Sequence, residues 1–146
     1  MSEPVKFHFD VAGDNFTSAG EASVQVKKLL RQLNMDPETI RRVSIAMYEG
    51  EINMVIHAKG GTADVILYPD RIRIVLADVG PGIADVDLAM QEGYSTAKDN
   101  VRALGFGAGM GLPNMKRYTD SMQIESEVGK GTTVTMEVYL PGANPA

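Results

Sequence analysis

Residues 36–58, DPETIRRVSIAMYEGEINMVIHA, read as one long helix with a polar row set into an apolar side. Asp36 can cap free N–H groups, and Pro37 suits the first helical position. Ile40, Val43, Met47 and Ile52 fall on or near one apolar side, and Gly60-Gly61 is expected to stop the helix after about Ala58. Glu49, Asn53 and His57 recur every four residues, which lines them up along one face. Such a row is either a solvated face or a working one. In the working reading, the carboxylate acts as a base and the amide oxygen one turn on ligates Mg²⁺, a cation that prefers few protein oxygens plus phosphate and water.

Outward from this helix the chain alternates between strand and helix patterns. Val5, Phe7, Phe9 and Val11 alternate with Lys6, His8 and Asp10, as in a half-buried strand. From about Thr17 to Leu33, the residues Ala22, Val26, Leu29, Leu30 and Leu33 keep helical spacing, and Asn34 ends that run. Strands are expected over 63–68 and 71–77 around a Pro69-Asp70 hairpin turn, a helix over 111–119, and strands over 121–127 and 132–140. Hairpin-linked strands with intervening helices predict an α+β protein: a two-layer sandwich, its sheet mixed and mostly antiparallel, with helices on one face. The 146 residues suit a single domain over 1–146, with a frayed tail at 141–146.

Composition narrows the function. A net charge of -5 with interspersed signs and no basic stripe argues against nucleic-acid binding. The absence of Cys removes disulfides, thiolate metal sites and a Cys nucleophile, and fits a cytoplasmic setting. The longest apolar runs are strand-sized, so no membrane span is expected, and the N-terminus does not read as a secretory signal. A polyanion would need a local site made from backbone N–H groups, a cation and a few basic side chains.

Two further motifs could build one. Asp78-Val79-Gly80-Pro81-Gly82 follows directly on a strand. It is a turn, or else Asp78 accepts an exocyclic amino group while Gly80 and Gly82 let the backbone approach a flat ring. Gly105-Phe106-Gly107-Ala108-Gly109-Met110-Gly111 precedes a helix. It is a hinge, or else its amides and the helix N-terminus hold an anion. It matches neither the Walker loop nor the dinucleotide fingerprint. Gly129-Lys130-Gly131-Thr132-Thr133 reads as a hairpin turn whose Thr132 or Thr133 could support Asp78.

Taken in order, Glu49-x-x-x-Asn53, Asp78-x-Gly80-x-Gly82, Gly107-x-Gly109-x-Gly111 and Gly131-Thr132 resemble the N, G1, G2 and G3 boxes of the GHKL ATPases. The likeness covers about residues 35 to 140. Gly109-Met110-Gly111-Leu112 and Ser126-Glu127-Val128-Gly129-Lys130-Gly131-Thr132-Thr133 are similar to the bacterial anti-sigma-factor serine kinases. Glu92-Gly93-Tyr94-Ser95-Thr96 and Gly111-Leu112-Pro113 look closest to the stressosome switch-kinase branch.

The resemblance implies a Bergerat fold binding ATP and Mg²⁺ under a lid at about 85–105. It implies that Glu49 is the general base, Asn53 the Mg²⁺ ligand and Asp78 the adenine contact, with Gly80, Gly82 and Thr132 beside the base. Gly105, Gly107, Gly109, Met110 and Gly111 would hold the phosphates, and Lys98 and Arg102 in the lid could meet them. The implied activity is ATP-dependent phosphorylation of a Ser or Thr on a small anti-sigma-antagonist (STAS-type) protein, with a sigma factor as a further partner and a homodimer as an open assembly. The alternative is an ATP-occupied switch that sequesters a partner without turnover. A histidine-kinase half would need an acceptor His on a dimerising helix pair, and neither His8 nor His57 is so placed. Three residues depart from the family pattern. Gly50 is expected to weaken the helix by about 1 kcal/mol relative to Ala, Glu51 to point elsewhere, and Met54 to be bulkier than usual.

Overall fold

The computed structural model describes residues 4–13, 20–57, 60–80, 90 and 111–141. Five strands form one sheet in the order β1-β2-β3-β5-β4: β1 (Val5–Ala12), β2 (Gly60–Leu67), β3 (Arg71–Asp78), β4 (Ser121–Glu127) and β5 (Gly131–Tyr139). All four pairings are antiparallel, so the sheet is an open antiparallel one. Among the described residues three helices accompany it: α1 (Glu21–Gln32), α2 (Pro37–His57) and α3 (Gly111–Arg117). The lid expected at about 85–105 lies outside the described residues, Met90 excepted. Among the described residues no helix is long and apolar enough to cross a membrane.

Local chemistry explains the boundaries. Asp36 accepts the Thr39 N–H at 3.1 Å and starts α2. At the end of α1, Asn34 takes a left-handed φ of 56°. There the Met35 N–H reaches the Leu30 carbonyl at 3.1 Å and the Asn34 N–H the Arg31 carbonyl at 3.0 Å, a Schellman ending. The Tyr68 N–H bonds to the Arg71 carbonyl at 2.9 Å, closing the Pro69-Asp70 hairpin. α2 ends at His57, ahead of Gly60 and Gly61 as expected, and the two glycines also open β2. Their φ values of 83° and 157° are ones that side chains rarely adopt, and a Cβ at either would strike the Val11 or Ala77 carbonyl oxygen at 2.1 Å.

Strand alternation puts Phe7, Phe9, Ala63, Val65, Ile72, Ile74, Leu76, Val134, Met136 and Val138 into one core with residues of the helices. From α1 come Ala22, Val26 and Leu30; from α2 come Ile40, Val43, Ala46, Met47, Met54 and Val55; from α3 come Leu112 and Met115. Leu33, which keeps the core spacing, is the C-cap of α1 and is 51% exposed. Arg42 of α2 holds the α3–β4 connection, donating to the Tyr118 carbonyl at 3.2 Å and pairing with Asp120 at 3.1 Å. These contacts set α2 over the sheet with α1 and α3 packed against it.

Candidate nucleotide site

The helix-covered face of the sheet changes character at one end. Successive cross-strand rows are apolar: Phe7, Val65, Ile74, Met136 and Met122, then Phe9, Ala63, Leu76, Val134 and Ile124. Two residues further along each strand, the row becomes Val11, Gly61, Asp78, Thr132 and Ser126. Asp78 Oδ1 accepts the Thr132 N–H at 2.8 Å, and the Thr132 and Ser126 hydroxyls lie 2.8 Å apart. Of the two threonines considered, it is therefore Thr132 that supports Asp78. Gly131, with φ of 143°, makes room, because a Cβ there would come within 2.3 Å of the Asp78 carbonyl oxygen.

Burial raises the Asp78 carboxyl above the ordinary Asp value, and the Thr132 N–H partly offsets it. Asp78 Oδ2 has no hydrogen-bond partner among the described residues. An acceptor at the end of an apolar face can select an exocyclic amino group over a carbonyl. A hollow of about 350 Å³ opens here, lined by Asp78, Ser126, Lys130, Gly131 and Thr132 and rimmed by Glu125 and Glu127.

The other half of the site belongs to α2 and α3. Glu49 is half-buried, and burial raises its carboxyl above the usual Glu value. Its one hydrogen-bond partner among the described residues is the Asn114 amide, which donates to Oε1 at 3.3 Å and acts in the lowering direction. One turn on, the Asn53 amide nitrogen contacts the Met115 Sδ at 3.9 Å, leaving Oδ1 without a hydrogen bond among the described residues. Gly111 lies against that amide: a Cβ on Gly111 would sit 2.9 Å from both Asn53 Nδ2 and Oδ1. Glycine as the first residue of α3 lets its backbone lie directly against the Asn53 amide.

The residues fit a nucleotide and a divalent cation. Asn53 Oδ1 offers one hard oxygen, Asp78 Oδ2 one acceptor, and Gly111 a close approach of backbone. No cluster of three or more His, Cys, Asp or Glu among the described residues could hold a metal by itself. A cation here would complete its shell with phosphate and water, as Mg²⁺ prefers.

Gly50 and Glu51, the departures between Glu49 and Asn53, have structural explanations. A Cβ on Gly50 would lie 2.0 Å from Leu76 Cδ1 and 3.1 Å from Met115 Cε. Glycine thus lets α2 close onto β3 and α3, more than a weakening of the helix. Leu76 lies two residues before Asp78 on the same face of β3, so this contact joins the two halves of the site. Glu51 does point elsewhere, as expected. It is 2% exposed, and it accepts N–H bonds from Gly20 at 3.0 Å, Ala22 at 3.1 Å and Ser23 at 3.0 Å. Met54 is 2% exposed and belongs to the core.

Of the residues expected at the site, Glu49, Asn53 and Gly111 come together around α2, and Asp78 and Thr132 at the sheet end; Gly80 is a bend just beyond Asp78. Gly82, Lys98, Gly105, Gly107, Gly109 and Met110 lie outside the described residues, as does Arg102. Sequence reasoning missed Asn114, Met115 and Ser126. The short polar-apolar helix after Gly111 was the signal for the first two, and the Ser126–Thr132 register across the last hairpin was the signal for the third.

The family described as Histidine kinase-, DNA gyrase B-, and HSP90-like ATPase matches residues 38–142, and the chain belongs to it. Among curated relatives, "Anti-sigma F factor" of Caldanaerobacter subterraneus subsp. tengcongensis is 33% identical over 124 residues, covering 82% of this chain and 83% of that protein. "Serine/threonine-protein kinase RsbT" of Bacillus subtilis is 29% identical over 118 residues, covering 78% of this chain and 83% of that one. Among solved structures, the RsbU and RsbW domains of a Mycobacterium tuberculosis protein superpose with a TM-score of 0.61 at 16% identity, over 98% of this chain and 34% of that one. The SiaB-SiaC complex from Pseudomonas aeruginosa gives 0.56 at 12% identity, over 92% of this chain and 89% of that one. At these identities the two structures bear on the fold alone.

Proposed function

We propose that this chain is an ATP-dependent protein serine/threonine kinase of the anti-sigma-factor type, acting on a Ser or Thr of a small anti-sigma-antagonist domain of the STAS kind. The observation that carries the reading is Glu49: a half-buried carboxylate held above its usual pKa, one turn from an Asn53 whose amide abuts Gly111. A general base works best with a pKa nearer the working pH, and its burial moves Glu49 in that direction. Relatives named as an anti-sigma factor and as a serine/threonine kinase support the substrate class.

Mg²⁺–ATP, when bound, supplies the γ-phosphoryl group and neutralises the charge on its oxygens. Asp78 would accept the adenine amino group, with Thr132 holding the carboxylate in place. Asn53 would ligate the cation through Oδ1. Glu49 would take the proton of the incoming hydroxyl as its oxygen bonds to phosphorus and the bond to the ADP oxygen breaks. The glycine loop 105–111, with Lys98 and Gly82, would complete the phosphate and base contacts.

A second reading, an ATP-occupied switch that sequesters a sigma factor without turnover, is favoured by the names of the anti-sigma relatives. Single-turnover transfer of labelled phosphate to candidate antagonist domains separates the two. The kinase reading expects transfer by wild type and a loss of at least about 100-fold in Glu49→Gln, the scale of general-base catalysis. Transfer at the wild-type rate by Glu49→Gln would remove the base assignment. Nucleotide binding with no transfer to any antagonist domain would favour the switch.

A further inference from the structure

Glu51 is a buried carboxylate that the proposed chemistry does not use, and its contacts are specific. Gly20, the N-cap of α1, has no side chain to satisfy the first N–H groups of that helix. Glu51 supplies the missing acceptor from α2: Oε2 takes the Gly20 and Ala22 N–H groups and Oε1 that of Ser23. Tyr48, one turn earlier on α2, packs against the same Gly20, because a Cβ there would lie 3.0 Å from its Cε1. Gly20 also has φ of 94°, so a side chain at this point would be strained as well as crowded. Tyr48 and Glu51 together grip the start of α1.

The geometry of α2 gives this grip a consequence for the site. Successive residues of an α-helix turn through about 100°, so Glu51 stands roughly 200° from both Glu49 and Asn53, on the opposite side of the helix. On the sheet side Val43, Met47, Met54 and Val55 of α2 pack into the core, and Gly50 lets the helix close onto Leu76. On the α3 side the hydrogen bonds of Glu49 and Asn53 are single and long, 3.3 Å from Asn114 and 3.9 Å to Met115 Sδ. The three bonds at Glu51, using both carboxylate oxygens, restrain the rotation of α2 from the side opposite Glu49 and Asn53.

We propose that Glu51 is a positioning residue: by locking α2 to the N-terminus of α1 it fixes the rotation at which Asn53 meets the cation and Glu49 the substrate hydroxyl. The proposal rests on the reading of Asn53 as a cation ligand. Glu51→Gln would turn one acceptor oxygen into an N–H donor facing backbone donors. Gly20→Ala would disturb the same grip from α1 while leaving every residue of α2 unchanged, and it carries the test if Glu51→Gln does not fold.

The experiment is calorimetric titration of ATP with and without Mg²⁺, on folded protein below its melting temperature. Val26→Ala is the control for general loosening, since Val26 is fully buried on α1 one turn beyond the gripped N–H groups and makes no bond to Glu51. Supporting groups behind a metal ligand typically contribute about 10–100-fold in metal affinity. The expected result is a loss of about that size for Mg²⁺–ATP in Glu51→Gln and a smaller one in Gly20→Ala, with Mg²⁺-free ATP binding within about twofold of wild type. Val26→Ala should lower the melting temperature without that Mg²⁺-specific loss. Wild-type Mg²⁺–ATP affinity in both grip variants, equal losses with and without Mg²⁺, or the same Mg²⁺-specific loss in Val26→Ala would each overturn the proposal and leave Glu51 as a helix cap. A wild-type protein that binds ATP with no Mg²⁺ dependence would overturn the Asn53 reading itself, and this proposal with it.

Discussion

Glu49 and Glu51 stand two residues apart on α2 and face opposite sides of it. Glu51 is 2% exposed and receives three backbone N–H bonds; Glu49 is half-buried and receives one long amide bond. The inner carboxylate receives backbone N–H bonds on both of its oxygens. The outer one is partly stripped of water without equivalent compensation, so it holds a proton more tightly than an ordinary Glu. Burial alone therefore does not mark the chemical group. A carboxylate satisfied by backbone donors holds helices together, whereas one left short of donors beside an apolar core is free to exchange a proton.

The largest effect that could break this comparison is on stability. Glu51→Ala leaves three N–H donors at the start of α1 without their acceptor, and unsatisfied buried donors cost about 1–3 kcal/mol each before water enters. We expect Glu51→Ala to lose about 3 kcal/mol in urea unfolding, and a loss below about 1 kcal/mol would mean that the three bonds do not hold α1 to α2.

Next in size is nucleotide selection. Asp78→Asn keeps the shape but replaces an acceptor oxygen with a donor, either toward Thr132 or toward the base. A loss of about 1–3 kcal/mol in ATP affinity is expected, with the preference for ATP over GTP narrowed. Unchanged preference in competitive titration would remove Asp78 from base recognition.

Smaller still is the pH dependence. Folding raises the Glu49 pKa, so the folded chain binds this proton more tightly than the unfolded chain does. The corresponding stability is complete below the ordinary Glu pKa and is lost as pH rises through the raised one. Glu49→Gln, which stays neutral, should therefore match wild type in acid and melt slightly higher than wild type near neutrality. A melting gap that runs the other way would contradict the burial of this carboxylate. Asn114 acts to lower the pKa, so Asn114→Ala should move the rising limb of the transfer-rate profile to higher pH. An unshifted limb would mean that Asn114 does not touch the working carboxylate.

Much of this was readable from local patterns. Alternation located the strands, Asp36 and Asn34 bounded the helices as their cap chemistry requires, and the position of Asp78 at a strand end put it beside Thr132 on the last strand. The rest was not readable, because the partners are far apart in the chain. Glu51 meets residues about thirty positions earlier, Gly50 yields to Leu76 and Met115, and Glu49 meets Asn114. Gly60-Gly61 resembled a helix stop because glycine often ends helices; what actually requires it is the close passage of the Val11 and Ala77 carbonyls. Gly50 looked like a defect for the same reason, since propensity weighs only the helix and ignores what packs on it.

If α2 carries two different tasks one turn apart, Asn53→Ala separates them most directly. ATP binding is measured by calorimetry for wild type and variant, with Mg²⁺ and with chelator. Contacts to charged groups contribute about 1.5–3 kcal/mol, so Mg²⁺–ATP affinity should fall by roughly 10–100-fold, and most of that loss should vanish when Mg²⁺ is left out. Wild-type affinity for Mg²⁺–ATP in Asn53→Ala, or an equal loss with and without the cation, would contradict the site as built.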